Sequence, residues 1–396
     1  MTPLFRKFLG LNWMLVVTVL GLLVFGVFAV YSASYFREGP DADLANKWRE
    51  QIVWICLGLC GFIGAALFDY RWVRWACPIF YVFALVLLVY TLIVAEARSG
   101  GAHWIKIGGR TIQPSQLAIA AGILTSAVAL SELQKIWPIF RYHFLRLSVS
   151  AIIVAVPMLL VLKQGDFGSA IVWAPTAAAM WLVGGIPFRY LISITLVVLT
   201  LLPLAFFFGM KDYQQKRITT YFDVLQGKEV DIQGDAWAIH HATMAIGSAG
   251  WDGKGFKASK VPGRRSITQL GLIAKNVAIN DYIFAVVAEE HGFRGSLLLI
   301  SALHLLLLQL LFVAHYSRDQ LGRLIVVGSF AMLGAHIFQN IGMCLTLLPI
   351  TGLPLPLISY GGTFMVVVLF MLGMCQSVWV HRNTPVLTRD PERAPV

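Results

Sequence analysis

The chain has 396 residues, 58% of them hydrophobic and 13% charged, with a mean hydropathy of +0.74 and a formal net charge of +11. Such a composition excludes a soluble globule and predicts a polytopic, all-α membrane protein forming one integral domain over 1–396. The cations are spread over short connections without the basic stripe or module that nucleic-acid binding needs, so anionic lipid is the expected contact and nucleic acid is excluded.

Met1 to Leu9, with Arg6 and Lys7, reads as a short amphipathic lead lying in the interface. Ten membrane-spanning helices are predicted behind it, near 12–34, 51–69, 77–95, 114–133, 147–163, 169–187, 189–209, 296–315, 322–348 and 357–380. The first is too long for the core of a signal peptide and is expected to be retained. Several are short for a hydrocarbon layer of about 30 Å, so tilt, local thinning or kinks at Pro157 and Pro175 are expected. A cytoplasmic amino terminus makes every short inner connection basic, through Arg71 and Arg74, then Lys135, Arg141 and Arg146, then Arg189, then Arg318 and Arg323. Arg382, Arg389 and Arg393 follow in a polar tail, 382–396, so both termini are predicted to be cytoplasmic. Cys56, Cys60, Cys77, Cys344 and Cys375 fall in or beside apolar spans without metal-ligand spacing, which suits packing.

Residues 210–280 form a long extracytoplasmic loop between spans seven and eight, far longer than a plain connection, and such loops usually carry function. The loop contains Lys211-Asp-Tyr-Gln-Gln-Lys-Arg217 and Gly253-Lys-Gly-Phe256, and closes on Asn280-Asp-Tyr-Ile-Phe-Ala-Val-Val-Ala-Glu-Glu-His-Gly292. His240 and His241 are adjacent, so on a helix they diverge by about 100° and suit a packed pair better than chelation of one metal. Asp281 stands where the loop turns back to the bilayer, and two roles are open to it: capping the next helix or acting as a carboxylate base. On a continuous helix Glu289 would lie about 80° around from Asp281 and roughly 12 Å further along, with Glu290 about opposite. A plain pairing of these carboxylates with Arg294 is the alternative. Asp166 follows a very short outer turn, Lys163-Gln-Gly-Asp166, where an Asp ordinarily caps the next helix. Lys163, Arg217 and Lys254 could meet negative charge developing on a substrate, or could be solvated loop charges.

Leu348-Pro-Ile-Thr-Gly-Leu-Pro-Leu-Pro-Leu-Ile-Ser-Tyr-Gly-Gly362 cannot be a plain helix, because each proline removes a backbone donor and clashes with the preceding turn. Near a membrane, broken backbone is tolerated only where protein packs it or where it lines a wet cavity. Pro349, Gly352, Pro354, Pro356, Ser359, Tyr360, Gly361 and Gly362, preceded by Asn340-Ile-Gly-Met343, resemble the hallmark of the RodA/FtsW family of membrane-embedded peptidoglycan polymerases. The loop motifs and the Asp281 to Gly292 block are similar to that family in the same order.

The resemblance implies a peptidoglycan glycosyltransferase of the bacterial inner membrane that polymerises lipid II during cell-wall elongation, nearer RodA than FtsW. It implies Asp281 as catalytic base, and Asp166, Lys163, Arg217, Lys254 and Glu289 as substrate-binding residues. A class B penicillin-binding transpeptidase and elongation scaffold proteins are the implied partners, and Mg or Mn a possible cation. A lipid-linked-precursor flippase or transporter, a division-type member and a non-catalytic scaffold are the alternatives. Three departures stand out. Gly165 replaces the proline of the family's Gln-Pro-Asp-x-Gly motif. In Gln113-Pro-Ser-Gln-Leu-Ala-Ile119, Gln116 and Ile119 replace a Glu and a Lys that would face one another. Lys275 to Asn280 replaces the usual Pro-Glu-x-His-Thr.

Overall fold

The structure, a computed structural model, describes residues 7–35, 46–94, 104–107, 110–204, 207, 212–228, 230–231, 234, 236–258, 266–268, 270–273 and 275–383. The lead before Lys7, Lys211 and the tail beyond Asn383 lie outside the described residues, so the expectations for them go no further.

Long apolar segments fold as helices because only a helix satisfies its own backbone in lipid. In chain order these are α1 (Trp13–Tyr35), α2 (Lys47–Leu67), α3 (Val73–Val94), α4 (Pro114–Ile136), α5 (His143–Lys163), α6 (Phe167–Val183) and α7 (Phe188–Leu204). A small hairpin, β1 (Ile105–Ile107) with β2 (Arg110–Ile112), is inserted before α4 and pairs antiparallel with Ile105 opposite Ile112. The long loop after α7 contributes α8 (Asp212–Leu225), α9 (Trp237–Gly247) and the single turn α10 (Lys275–Ala278). The chain then returns through α11 (Ile283–His315), α12 (Gln320–Cys344) and α13 (Gly362–Val380).

Eight of the described helices are long and apolar enough to cross a membrane, and α6 and α7 are shorter apolar helices at the sixth and seventh predicted places. Pro157 and Pro175 lie inside α5 and α6, neither of which they interrupt. Three of the differences from the expected bounds bear on the site. α2 starts at Lys47 rather than 51, which brings Lys47 and Glu50 into its first turn as an ion pair of 2.8 Å. α11 begins at Ile283, but Gly292 inside it has φ 65 and ψ −162, so its first two turns are a separate piece ahead of the span. The last span begins at Gly362 rather than 357, because Pro354, Pro356 and the left-handed Leu357 (φ 65) keep the preceding residues out of a helix.

α4, α12 and α13 are the most enclosed spans and form the centre, with α2 lying closely along α13. A Cβ added at Gly373 would stand 2.4 Å from the Phe62 carbonyl, so this approach of backbones requires glycine. The outer helices turn large apolar side chains such as Val17, Trp75, Ile93 and Leu199 outward, the surface that lipid covers. Cys77, Cys344 and Cys375 are packed inside as expected, whereas Cys56 and Cys60 face outward on α2.

Candidate active site

The irregular segment between α12 and α13 is buried rather than looped into water: Leu353, Leu355, Leu357, Ile358 and Ser359 are each at most 2% exposed. It forms a cradle for the residues that lead into α11. Three successive carbonyls are held. The Tyr360 N–H donates to Ile279 O at 2.9 Å, the Ser359 hydroxyl donates to Asn280 O, and the Asn340 side-chain amide donates to Asp281 O at 2.7 Å. The same Asn340 nitrogen also donates to Leu353 O at 2.7 Å, so one side chain ties cradle and cradled together. The Leu355 N–H donates to Ser359 Oγ at 2.7 Å, and Gln51 of α2 donates to Ser359 O at 3.0 Å. Tyr360 reaches further, donating its hydroxyl to Glu50 at 2.6 Å.

Asp281 is thereby fixed at its backbone from both sides, its own N–H donating to Val277 O at 2.9 Å. Gly352 (φ +71) lies beside its carboxylate, where an added Cβ would be 3.3 Å from Oδ2. The capping alternative is not realised: Tyr282 holds the cap position of α11, and no side chain caps that end. Asp281 therefore precedes the helix, and its angular relation to Glu289 on one continuous helix does not apply. Burial pushes the Asp281 carboxyl up to about 7; the positive charge of Arg217 opposes the rise and the negative charge of Asp166 adds to it. Asp281 is nonetheless part-exposed.

Asp166 caps α6, accepting from the Ser169 N–H at 3.0 Å. Its other oxygen accepts from Gln113 Nε2 at 2.7 Å and from the Ser115 hydroxyl at 2.9 Å, which unites the Gln113-Pro-Ser motif with the short turn between α5 and α6. Gly165 explains its own departure from the family pattern. Its φ is +84 and its N–H donates to Leu162 O at 3.0 Å, and proline offers neither that angle nor that donor. Arg217 is exposed on α8, anchored one turn later where the Tyr221 hydroxyl donates to Leu347 O at 2.8 Å. Lys163 is exposed at the end of α5, three residues before Asp166.

Lys254 and Glu289 are brought to each other instead of to this group. Nζ stands 2.7 Å from Oε1, and Glu289 is 0% exposed. Its carboxylate also accepts from the Ile267 N–H at 2.6 Å, the Thr268 N–H at 3.1 Å and the Thr268 hydroxyl at 2.7 Å. A carboxylate so surrounded has no face left for a sugar, which corrects the expectation of substrate contact, and Lys254 is no solvated loop charge either. Arg294 pairs with Asp252 at 2.7 Å, not with either glutamate, while Glu290 accepts from the Ser32 hydroxyl and from the Lys257 N–H at 3.2 Å. His240 and His241 stack edge to face at 5.3 Å, as a packed pair. Among the described residues no group of three or more His, Cys, Asp or Glu side chains gathers to hold a metal; the charge of Asp166 is felt at Asp281.

Gln113, Ser115 and Asn340 acquire roles that sequence reasoning did not give them. All three stood inside recognised motifs, but spacing alone carries no sign of which carbonyl or carboxylate a side-chain amide will meet.

Known proteins resemble this chain in sequence and fold. The Escherichia coli K12 peptidoglycan glycosyltransferase MrdB is 30% identical over 365 residues, covering 92% of each chain. The peptidoglycan glycosyltransferase RodA of Treponema pallidum is 26% identical, over 93% of this chain and 97% of its own. Among solved structures, a chain of a peptidoglycan synthase complex that coordinates polymerization and crosslinking superposes with TM-score 0.74 at 25% identity, over 95% of this chain and 99% of that one. The rod-shape-determining protein RodA of Thermus thermophilus gives 0.67 at 26% identity, over 95% and 98%. The sequence model for cell cycle proteins of the FtsW, RodA and SpoVE type matches residues 12–384, which span the cradle, both carboxylates and every described membrane helix. With so much of the chain matched and Asp281 held by the very segment that carries the hallmark, this protein belongs to the FtsW/RodA/SpoVE family.

Proposed function

We propose that this chain polymerises lipid II into glycan strands on the outer face of the bacterial inner membrane during elongation, with Asp281 as general base. It is a membrane glycosyltransferase of peptidoglycan synthesis, as its relatives MrdB and RodA are named. The observation that carries the catalytic reading is Asp281 itself: a part-exposed carboxyl near neutrality, held through three consecutive carbonyls and facing the charges of Asp166 and Arg217. A base is most effective when its pKa lies near the working pH.

In the reaction the acceptor sugar's hydroxyl loses its proton to Asp281 as its oxygen bonds to the donor's anomeric carbon. The bond from that carbon to the diphosphate oxygen breaks, and isoprenyl pyrophosphate departs with the electron pair. One in-line displacement inverts the anomeric centre. Arg217 and Lys163 stand exposed at this end of the molecule, suited to receive the charge developing on the diphosphate. Asp166, hydrogen-bonded to Gln113 and Ser115, orients the sugar, and its negative charge keeps the Asp281 carboxyl from ionising too easily. Asp281 and Asp166 are also the residues that would hold a divalent cation against the diphosphate. A transpeptidase of the penicillin-binding class is the expected partner, in keeping with a structural relative that coordinates polymerization with crosslinking. Strand synthesis from lipid II by the purified protein with that partner tests the reading; lipid flipping in vesicles without polymerisation would move the protein to the transporter class.

The pH profile follows with a definite sign. The base works deprotonated, so kcat/KM should rise about tenfold per pH unit below the Asp281 value of about 7 and level off above it. A profile flat from pH 5 to 8 would remove Asp281 from the proton transfer.

Orientation is tested separately. With both termini inside, Ser248→Cys should react with an impermeant thiol reagent applied to intact cells, and Lys135→Cys only after permeabilisation. Both side chains are exposed on the protein, so the reverse pattern would invert the topology.

A further inference from the structure

Residue 289 lies eight positions after Asp281, and 267–268 lie some fourteen before it, so the Glu289 carboxylate closes a loop whose middle carries the base. The closure is tight. Both backbone N–H groups of Ile267 and Thr268 and the Thr268 hydroxyl point at Glu289, and Lys254 supplies the balancing charge. A second strand of contacts backs it: the Lys254 and Gly255 N–H groups donate to the Glu289 and Glu290 carbonyls at 2.9 and 2.8 Å. Gly253 and Gly292 meet back to back there, both with φ near +70, and a Cβ on Gly253 would fall 2.3 Å from Glu290 O. The pinned arm is itself compact, with the Leu270 N–H donating to Ser266 O and the Leu272 N–H to Ile267 O, and Ile273 fully buried. Two residues later the chain enters α10, whose Val277 carbonyl receives the Asp281 N–H.

The cradle fixes Asp281 from below through its carbonyl side. The arm arriving at α10 is what Glu289 grips. We infer that Lys254 and Glu289 are positioning residues: their buried ion pair clasps the arm that delivers Asp281 and holds the base in register with the acceptor hydroxyl. The inference rests on Asp281 being the base. It also states why a charged pair belongs here. Four donors converge on one point, and a carboxylate satisfies them all where a neutral amide would turn two donors of its own against them.

Kinetics and hydrogen exchange separate positioning from substrate contact. The variants Glu289→Gln, Lys254→Met, the pair Lys254→Met with Glu289→Leu, and the milder Thr268→Val are assayed on the full-length protein with its partner, using lipid II. Each single change at the pair should lower kcat between about 10- and 100-fold, the scale on which small misplacements act, with KM for lipid II little changed. Amide exchange over 266–281 should quicken at the same time. The double variant should lose at least as much kcat as Lys254→Met alone, since without the Glu289 carboxylate the Ile267 and Thr268 N–H groups have no acceptor and the arm is released. Thr268→Val, which leaves both charges and the fold in place, should show a smaller kcat loss with the same exchange signature. A rise in KM with kcat and exchange unchanged would make these residues substrate ligands and overturn the clasp, as would native kcat in the double variant. Asp281→Asn in the same assay keeps the two ideas apart: activity there would end the base assignment, while the exchange data would still report whether the arm is clasped.

Discussion

Asp281→Asn is expected to lower glycan polymerisation about 10²–10⁴-fold, the usual loss on removing a positioned general base, while the protein accumulates and melts as the native chain does. Asparagine matches aspartate in size and leaves the Asn340 bond to the residue 281 carbonyl and the approach of Gly352 undisturbed, because these touch the backbone or need only the same volume. It cannot take a proton. Stability should not fall, and the sign can be worked out. Burial raises the Asp281 pKa from the ordinary carboxylate range to about 7, so ionising it in the folded protein costs free energy that grows as pH climbs towards 7. Asparagine avoids that cost, so at pH 8 its thermal midpoint should equal or exceed the native one. An Asn variant that still made strands at the native rate would eliminate Asp281 as the base; one that failed to fold would show the carboxylate to be structural after all.

Ile119→Lys should destabilise by about 3–5 kcal/mol, the range for an uncompensated buried charge, and reduce membrane yield accordingly. Ile119 is 0% exposed in α4, one of the most enclosed helices, and Gln116 three residues before it is 1% exposed. Gln116 donates to Ser169 Oγ at 3.3 Å, but its carbonyl oxygen has no hydrogen-bond partner there. Adding Gln116→Glu converts that idle acceptor into a counter-charge at i,i+3, so the double variant should recover a substantial part of the loss. Equal thermal midpoints and yields for single and double variants would show that the two positions are not coupled. Recovery would indicate that the family's acid and base left this chain together because either alone is intolerable inside α4.

The membrane class and most of the spans were legible because the hydrophobic effect writes them locally: a run of some twenty apolar residues has one stable solution in lipid. The same holds for the break at 348–362, where three prolines forbid a helix whatever surrounds them. Asp281 was identifiable through its motif and through its place at the end of a long loop. Its held geometry was not, since Asn340 and Ser359 lie about sixty and eighty residues away along the chain and meet it only because α12 and the irregular segment pack there. Glu289 illustrates the opposite outcome. Its sequence neighbourhood beside Asp281 suggested a substrate contact, but which atoms a carboxylate meets depends on the path of the backbone. Gly292 breaks the helix and the 250–255 and 266–268 segments close over it. What the sequence by itself determined is therefore the class of molecule, the helix-forbidding segment and the residue proposed as the base. What only the tertiary structure decided is which side chains touch that base and which merely hold it, because hydrogen bonds of this kind join residues whose separation along the chain carries no local signal.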